Sequence, residues 1–224
     1  FNLAAEIMRA GRLADRLIGL ARVCTGFLPG GLGIAAVLAC MMFACISGSS
    51  PATVIAVGSV LFPALVAAGY SPAFAVGLLT TTGSLGILIP PSVTFIIYGV
   101  ATGSSVGALF AAGVVPGVLV GALFMVYCVI YARRNNVKAD PVPSLQAILT
   151  ALRESLWVLL LPVVVLGGIY GGFFTATEAA AVATSYSAFL ALFVYRSLTW
   201  RDFPKLVARR GLLSGALLLI IAGP

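Results

Sequence analysis

The segments ISGSSPAT (residues 46–53) and TTTGSLGILIPPS (residues 80–92) interrupt an apolar run that extends from Val23 to Ala132. These 110 consecutive residues contain no Asp, Glu, Lys, Arg, His, Asn or Gln. Because about 20 apolar residues already span a bilayer, a run of this length predicts a membrane protein. Non-helical backbone at membrane depth is tolerated only where protein buries it or where it lines a cavity. The two interruptions therefore predict where this protein holds a ligand.

The composition also indicates a membrane protein. The chain is 61% hydrophobic and 8% charged, with a mean hydropathy of +1.15, whereas a soluble domain is about a quarter charged. We expect an all-α polytopic fold in which residues 1–224 form a single transmembrane domain. The 13 basic residues indicate loop charges at a membrane surface that contacts lipid, and not a nucleic-acid-binding protein. The chain lacks an initiator Met and ends in apolar sequence, so we expect a fragment of a longer protein.

The basic residues predict the topology because they fall into three clusters. The positive-inside rule places all three clusters on the cytoplasmic side, so an even number of crossings must separate each pair. The clusters are Arg9, Arg12, Arg16 and Arg22; Arg133, Arg134, Lys138 and Arg153; and Arg196, Arg201, Lys205, Arg209 and Arg210.

The requirement for an even number of crossings divides the long apolar run into a hairpin and two transmembrane crossings. The arms 29–46 and 52–68 are each about 25 Å long as helices, which is short of a core about 30 Å thick. We therefore predict a re-entrant hairpin over residues 29–69 with SGSSP at its tip. A discontinuous transmembrane helix over residues 72–102 and a return helix over residues 106–132 follow it.

The rest of the chain predicts simpler elements. Leucines repeat at helical spacing opposite polar residues over residues 9–28 and 144–156, which favours two interfacial amphipathic helices. Residues 156–195 predict two transmembrane runs split at residues 175–178. The start of a further helix is expected over residues 211–224.

The first break predicts helix ends inside the membrane. Ser50 before Pro51 is typical of an N-cap followed by proline in the first turn, so the second hairpin arm begins at the tip. The first arm ends at the same place. Each helix end carries about half an elementary charge, positive at the N-terminus and negative at the C-terminus.

The second break repeats this pattern. Gly83 and Gly86 loosen one half-helix, Pro90 and Pro91 remove two amide donors, and the other half-helix starts near Ser92. Free carbonyls and hydroxyls suit a small cation, whereas opposed helix N-termini suit an anion such as a carboxylate. The two breaks together predict the midplane site of a secondary transporter with discontinuous helices.

Alternatives remain open at this point. The serines of the tip are also typical of packing between helices. Glu178 forms either a capping box with Thr175 or, together with Thr177, takes part in ion coupling. An anion channel also uses re-entrant helix ends. An intramembrane enzyme is disfavoured because the sequence has no His and its apolar core has no Asp.

Four segments resemble the large membrane subunit, of the DctM type, of tripartite ATP-independent periplasmic (TRAP) transporters. They follow the order and spacing of that family across nearly the whole chain. The match departs at TATEA, where the family more often has Pro at the position of Ala176. The segments are FNLAAEIM at Phe1–Met8, LPGGLGIAAVLACMMFACISGSSPATVIAVGS at Leu28–Ser59, GSLGILIPPSVTFIIYGVATG at Gly83–Gly103, and GGIYGGFFTATEAAAVA at Gly167–Ala183.

The resemblance implies a sodium-coupled, elevator-type importer of organic acids such as C4-dicarboxylates or sialic acid. It implies a location in the bacterial inner membrane, with sodium as the coupling ion and no other cofactor. It also implies two partners, which are a small four-helix membrane subunit and a periplasmic substrate-binding protein. The fragment would then carry one sodium site and half of the substrate site.

With sodium as the implied ion, elimination predicts its ligands, because only the two breaks free oxygen atoms at membrane depth. We expect these ligands at Ser47, Ser49, Ser50, Thr82, Gly83 and Gly86. We expect the substrate carboxylate beside Gly48, Pro51, Pro90, Pro91 and Ser92.

Overall fold

A computed structural model describes residues 1–137, 139–199, 203–204, 206–208, 211 and 215. Throughout this part of the chain the regular secondary structure is helical, which confirms the all-α prediction. Most of the expected segment 211–224, as well as Lys138, Arg201, Lys205, Arg209 and Arg210, lies outside the described residues. The helices are α1 (Asn2–Ala10), α2 (Leu13–Thr25), α3 (Gly31–Ser47), α4 (Ser50–Ala67), α5 (Pro72–Gly83), α6 (Leu85–Leu88), α7 (Val93–Thr102), α8 (Val106–Arg134), α9 (Leu145–Tyr170) and α10 (Ala176–Phe189), followed by a π-helical turn (Leu190–Val194).

Several of these helices are suited to a membrane. In the described part of the chain, α4, α8, α9 and Ala176–Val194 are long and apolar enough to cross a bilayer. A fifth span forms if Pro72–Leu88 and Val93–Thr102, which are bent by 40°, count as one broken helix. The helix α3 is apolar but shorter.

Helices α3 and α4 form a hairpin whose connection consists of Gly48 and Ser49. Gly48 ends α3 in the left-handed conformation with φ of 59°, and Ser49 is extended. The Ser49 carbonyl accepts the first helical hydrogen bond of α4, from Thr53 N–H at 3.1 Å. The N-cap is therefore Ser49, and the prediction of Ser50 was wrong by one residue.

Both outer ends of this hairpin lie at the same end of the bundle. Gly30 lies so close to the C-terminal part of α8 that a Cβ atom there would be 3.1 Å from Ala132 Cβ. Tyr70, beyond the other arm, stacks on Tyr131 with ring centroids 5.9 Å apart. The hairpin thus begins and ends beside the basic residues that close α8.

The tip of the hairpin lies near the middle of α8. Gly48 contacts the second break, and Ile89 within that break packs against Gly117 of α8. At 1.5 Å per residue, Gly117 is roughly 23 Å from Ala132 and roughly 17 Å from Val106 along the helix. The tip therefore lies well inside the bundle, far from both ends of its longest helix.

Two predicted interfacial helices have different bounds in the structure. The expected helix over residues 9–28 is divided between α1 and α2, because Arg12 adopts a left-handed conformation with φ of 54° after α1 ends at Ala10. The expected separate helix over residues 144–156 is the first part of α9, which continues without a break to Tyr170. No Gly or Pro occurs between Leu145 and Leu161 to end it.

Parts of the three predicted basic clusters lie at one end of the described structure. Arg16 Nη1 lies 3.3 Å from a Glu154 carboxylate oxygen, and the Arg16 guanidinium lies over the Tyr195 ring at 4.2 Å. Arg22 Nε donates to Asp140 at 2.9 Å. Exposed pairs of this kind contribute little energy, but they place parts of all three clusters together.

We predict that this basic end is cytoplasmic and that the opposite end is periplasmic. In an otherwise cysteine-free intact transporter, a cysteine at Asn136 should react only with a reagent that reaches the cytoplasm. A cysteine at Thr177 is the matched control and should react from the periplasm in intact cells. Labelling of residue 136 from the periplasm would overturn the topology.

Candidate functional site at the hairpin tip

Three oxygen atoms converge at the hairpin tip. Ser47 Oγ lies 2.8 Å from Thr53 Oγ1 and 3.3 Å from the Ser49 carbonyl oxygen. Thr53 Oγ1 also donates to the Ser49 carbonyl at 3.0 Å. Both hydroxyl-bearing side chains are 0% exposed. This tip cluster, made of Ser47, Ser49 and Thr53, offers hard oxygen ligands without any charged side chain.

The second break approaches the tip cluster through glycine. A Cβ atom at Gly86 would lie 2.9 Å from both the Ser49 carbonyl oxygen and Thr53 Oγ1. Gly83 packs against α4 in a similar way, because a Cβ there would lie 2.0 Å from Val54 Cγ2. Glycine at both positions therefore allows the α5–α6 backbone to reach the hairpin.

The tip also forms a hydrogen bond with the start of α7. Val93 N–H donates to the Gly48 carbonyl at 3.1 Å. A Cβ at Gly48 would lie 2.5 Å from the Pro91 carbonyl oxygen. Gly48, Pro90, Pro91 and Ser92, four of the five positions expected for substrate, are buried in this region.

The N-termini of α4 and α7 meet here without side-chain caps. Neither Ser49 nor Ser92 caps its helix through its hydroxyl group. Ser84, which lies between α5 and α6, does not cap α6 either, because its hydroxyl donates to the Thr81 carbonyl. Four other helices do receive a cap, in which Ser71, Ser105, Ser144 and Thr175 accept from the third amide of the helix.

Ser92 carries an additional signal of a ligand. It is 0% exposed, and its Oγ has no hydrogen-bond partner among the described residues. A buried hydroxyl without a partner is costly unless another group satisfies it. The hydroxyl and the first-turn amides of α7 could together hold an anionic group.

The electrostatics of the site come from helix ends. The C-terminus of α3 brings partial negative charge to Ser47 and Gly48, and the N-termini of α4 and α7 bring partial positive charge. A cation and a carboxylate can therefore occupy adjacent positions.

Other expected ligands lie outside the tip cluster. Thr82 Oγ1 donates to the Leu78 carbonyl at 2.7 Å and lies 3.4 Å from Cys40 Sγ. Cys40 precedes Ser47 by roughly 10 Å along α3. Ser50 is half-buried and Pro51 is exposed in the first turn of α4.

Residues 175–178 form a helix cap. Thr175 N–H and Thr175 Oγ1 both donate to Glu178 Oε2 at 2.8 Å, and Glu178 N–H donates to Thr175 Oγ1 at 3.3 Å. These bonds complete a capping box at the start of α10, which packs against α1 and α9. Thr177 is exposed in the same turn. A direct role of Glu178 in ion coupling stays a prediction.

Thr53 and Val93 were not among the site residues predicted from the sequence. Thr53 lies four residues after Ser49, the spacing at which a threonine hydroxyl bonds a carbonyl of the preceding turn. That spacing could have identified Thr53. The contact of Val93 with Gly48 depends on the docking of two segments distant in sequence, so no local pattern predicts it.

The whole chain, residues 1–224, matches the protein family described as "Tripartite ATP-independent periplasmic transporter, DctM component". The chain belongs to this family. It is a multi-pass protein of the bacterial inner membrane, in keeping with its membrane-spanning helices.

Three relatives illustrate the range of the family. The chain is 53% identical over 222 residues to the C4-dicarboxylate TRAP transporter large permease protein DctM of Pseudomonas aeruginosa, covering 99% of this chain and 52% of that protein. It is 41% identical over 222 residues to the ectoine TRAP transporter large permease protein TeaC of Halomonas elongata, with coverage of 99% and 52%. It is 44% identical over 204 residues to the isethionate TRAP transporter permease protein DctMQ of Oleidesulfovibrio alaskensis, with coverage of 91% and 32%. The chain spans about half the length of the curated large permease proteins that it matches.

We predict that Gly48→Ala disrupts this DctM-family site, because its Cβ would collide with the Pro91 carbonyl. Gly69→Ala is the matched control, since Gly69 also has positive φ but has open space around it. Both variants carry a left-handed strain of about 1–2 kcal/mol, and Gly48→Ala adds an overpacking cost of about 1–3 kcal/mol. Thermal unfolding of the intact transporter should therefore give a lower midpoint for Gly48→Ala. Equal midpoints would contradict the docked tip.

We predict that Glu178→Gln retains transport, because a glutamine side-chain oxygen can still accept from Thr175 N–H. Thr175→Ala should lose the cap and about 1 kcal/mol of stability. Sodium-dependent uptake and thermal unfolding of the intact transporter measure the two effects. If Glu178→Gln abolished the sodium dependence at normal expression, Glu178 would be a coupling residue and not only a cap.

Proposed function

We propose that this chain is part of the permease subunit of a sodium-coupled secondary transporter that imports organic acids. The substrate carboxylate binds at the hairpin tip beside the N-termini of α4 and α7. Sodium binds at the tip cluster, on the side of the α3 C-terminus. The chain has no catalytic role in this proposal, and sodium is its coupling ion, not a resident cofactor.

The observation that carries the proposal is the pair of uncapped N-termini at Ser49 and Ser92. Neither helix start is capped by a side chain, and the bond from Val93 N–H to the Gly48 carbonyl brings both starts together. The amides that follow Val93 in the first turn of α7, and those of the first turn of α4, receive no side-chain cap. Converging amides and helix dipoles favour a carboxylate or another anion. The unpartnered hydroxyl of Ser92 supplies a further donor at the same place.

The oxygen atoms of the tip cluster support the cation site. Ser47 Oγ, Thr53 Oγ1 and the Ser49 carbonyl oxygen are already within hydrogen-bonding distance of one another. Rotation of the two hydroxyl groups would turn their lone pairs toward an ion that contacts all three oxygen atoms from one side. Gly86 lets the second break supply further backbone oxygens. A bound cation would also reduce the repulsion between the substrate carboxylate and the C-terminus of α3.

The names of the relatives support the substrate class. They refer to C4-dicarboxylate, ectoine and isethionate, all of which carry an acidic group. A site that holds the shared acidic group through backbone amides fits a family whose substrates differ elsewhere. We therefore propose that the rest of the substrate is selected outside this half of the site.

The family description supports the proposed partners, since a tripartite system needs two further components. We propose a small four-helix membrane subunit and a periplasmic substrate-binding protein. We further propose an elevator-type movement in which the hairpin and the broken helix move as one body. The bond between Val93 and Gly48 and the close contact at Gly86 favour joint movement of these two elements.

We predict that Ser47→Ala and Thr53→Val, each of which removes a hydroxyl of the tip cluster, raise the sodium concentration for half-maximal uptake. The expected increase is roughly tenfold where a ligand is lost, because a contact to a charged group contributes about 1.5–3 kcal/mol. The matched control is Ser59→Ala, which removes an exposed hydroxyl bonded to Ala56 on the same α4 helix. Uptake is measured in vesicles that contain the intact transporter and its loaded binding protein.

The affinity of the binding protein for its ligand should be the same for all variants. Unchanged sodium dependence in both well-expressed variants would refute the cation site. Uptake that never exceeds the electrochemical equilibrium of the substrate, with or without sodium, would favour an anion channel over a coupled transporter.

A further inference from the structure

A cavity of about 540 Å³ opens at the basic end of the protein, and no residue of the hairpin tip lines it. It lies between α2, α9 and the end of the π-helical turn. Its lining combines two arginines with apolar and aromatic side chains. The lining residues are Arg16, Gln146, Leu149, Thr150, Arg153, Glu154, Trp157, Val194 and Tyr195.

The walls of this cavity are held in place by contacts between distant segments. Ser155 Oγ donates to the Arg16 carbonyl at 2.9 Å. Tyr195 Oη donates to the Glu154 carbonyl at 2.7 Å, and the Arg16 guanidinium stacks on the Tyr195 ring. The carboxylate of Glu154 is paired with Arg16. The cavity is thus a fixed feature of the packing between three elements.

Arg153 is the cation in this cavity that remains available. It is exposed, and no carboxylate pairs with it among the described residues. The lining therefore has a net charge of +1 from Arg16, Arg153 and Glu154. A neighbouring cavity of about 400 Å³ differs, since Asp15 and Glu154 balance its two arginines. The larger cavity is the one that favours an anion.

The apolar side of the cavity faces the membrane-spanning part of α9. Trp157 is exposed one turn after Arg153, toward the membrane-spanning part of this helix, and Val194 is exposed across the gap. Leu149 is exposed one turn before Arg153. Trp and Tyr side chains at this level are typical of the membrane–water interface. The cavity therefore places the Arg153 cation next to apolar side chains that lie on its bilayer side.

We propose that this cavity binds one anionic phospholipid from the leaflet at the basic end of the protein. The lipid phosphate contacts the Arg153 guanidinium, the rest of the headgroup lies toward Gln146, and an acyl chain lies along Trp157 and Val194. Basic pockets between membrane helices bind anionic headgroups in this manner. A phospholipid fits both the charge and the apolar wall, whereas a free phosphate uses only the charge. Because the lipid would contact both α9 and Val194, it would stabilise the packing of α9 against the π-helical turn.

Photoreactive phosphatidylglycerol and phosphatidylcholine, with the reactive group in the acyl chain, test this proposal. Each is added to the intact transporter in a phosphatidylcholine bilayer, and labelled peptides from residues 145–157 are quantified. Phosphatidylglycerol should label this segment more strongly than phosphatidylcholine. Arg153→Gln should reduce the phosphatidylglycerol labelling roughly fivefold, and Arg153→Lys should retain most of it.

Arg134→Gln is the matched control, because it removes an exposed charge at the same end but outside the cavity. It should leave the labelling unchanged. Equal labelling by both lipids, or no effect of Arg153→Gln, would overturn the proposal. Displacement by inorganic phosphate would indicate a site for a soluble anion instead. Cross-linking of a photoreactive residue at position 149 to the small subunit would show that a protein covers the cavity.

Discussion

The hydrogen bond from Val93 N–H to the Gly48 carbonyl is the interaction on which the site depends. It joins the hairpin tip to the second break, two stretches of interrupted helix that have no water to satisfy them inside a bilayer. Each break supplies what the other lacks, since Gly48 ends a helix with a free carbonyl and α7 begins with a free amide. Without this docking, both breaks would leave buried polar groups unsatisfied at a cost of several kcal/mol.

The docking is possible because small residues line the paths between the helices. Gly86 lets α6 approach the tip cluster, and Gly113 and Gly117 let α8 approach Leu88 and Ile89. In lipid, association of helices relies on close packing and on hydrogen bonds, because apolar surface gains little by leaving an apolar solvent. Close packing at these glycines therefore stabilises the association of the helices, as burial of an apolar core stabilises a soluble protein. The N-termini of α4 and α7 have no side-chain cap, whereas α5, α8, α9 and α10 are each capped by a serine or threonine.

The sequence predicted the elements better than the contacts between them. Gly and Pro are strong local signals, so the hairpin and the broken helix were located to within two residues. The division at Arg12 was missed because a left-handed arginine has no such signal. The pairing of buried Glu6 with Arg9 was not predicted either, because both residues resemble loop charges in the sequence. The hydrogen bond between them raises the pKa of Arg9. In the site, serines at the tip were identifiable from the break, whereas Thr82 was expected at the tip but bonds within α5 and faces Cys40 instead.

We propose above all that the docked tip holds a sodium ion beside the substrate carboxylate. The most direct measurement is a high-resolution cryo-EM structure of the intact transporter, determined once in sodium and once in choline. We predict a compact density among the oxygens of Ser47, Ser49 and Thr53 in sodium, and its loss in choline. A tip cluster without density in sodium, or with the same density in choline, would contradict it.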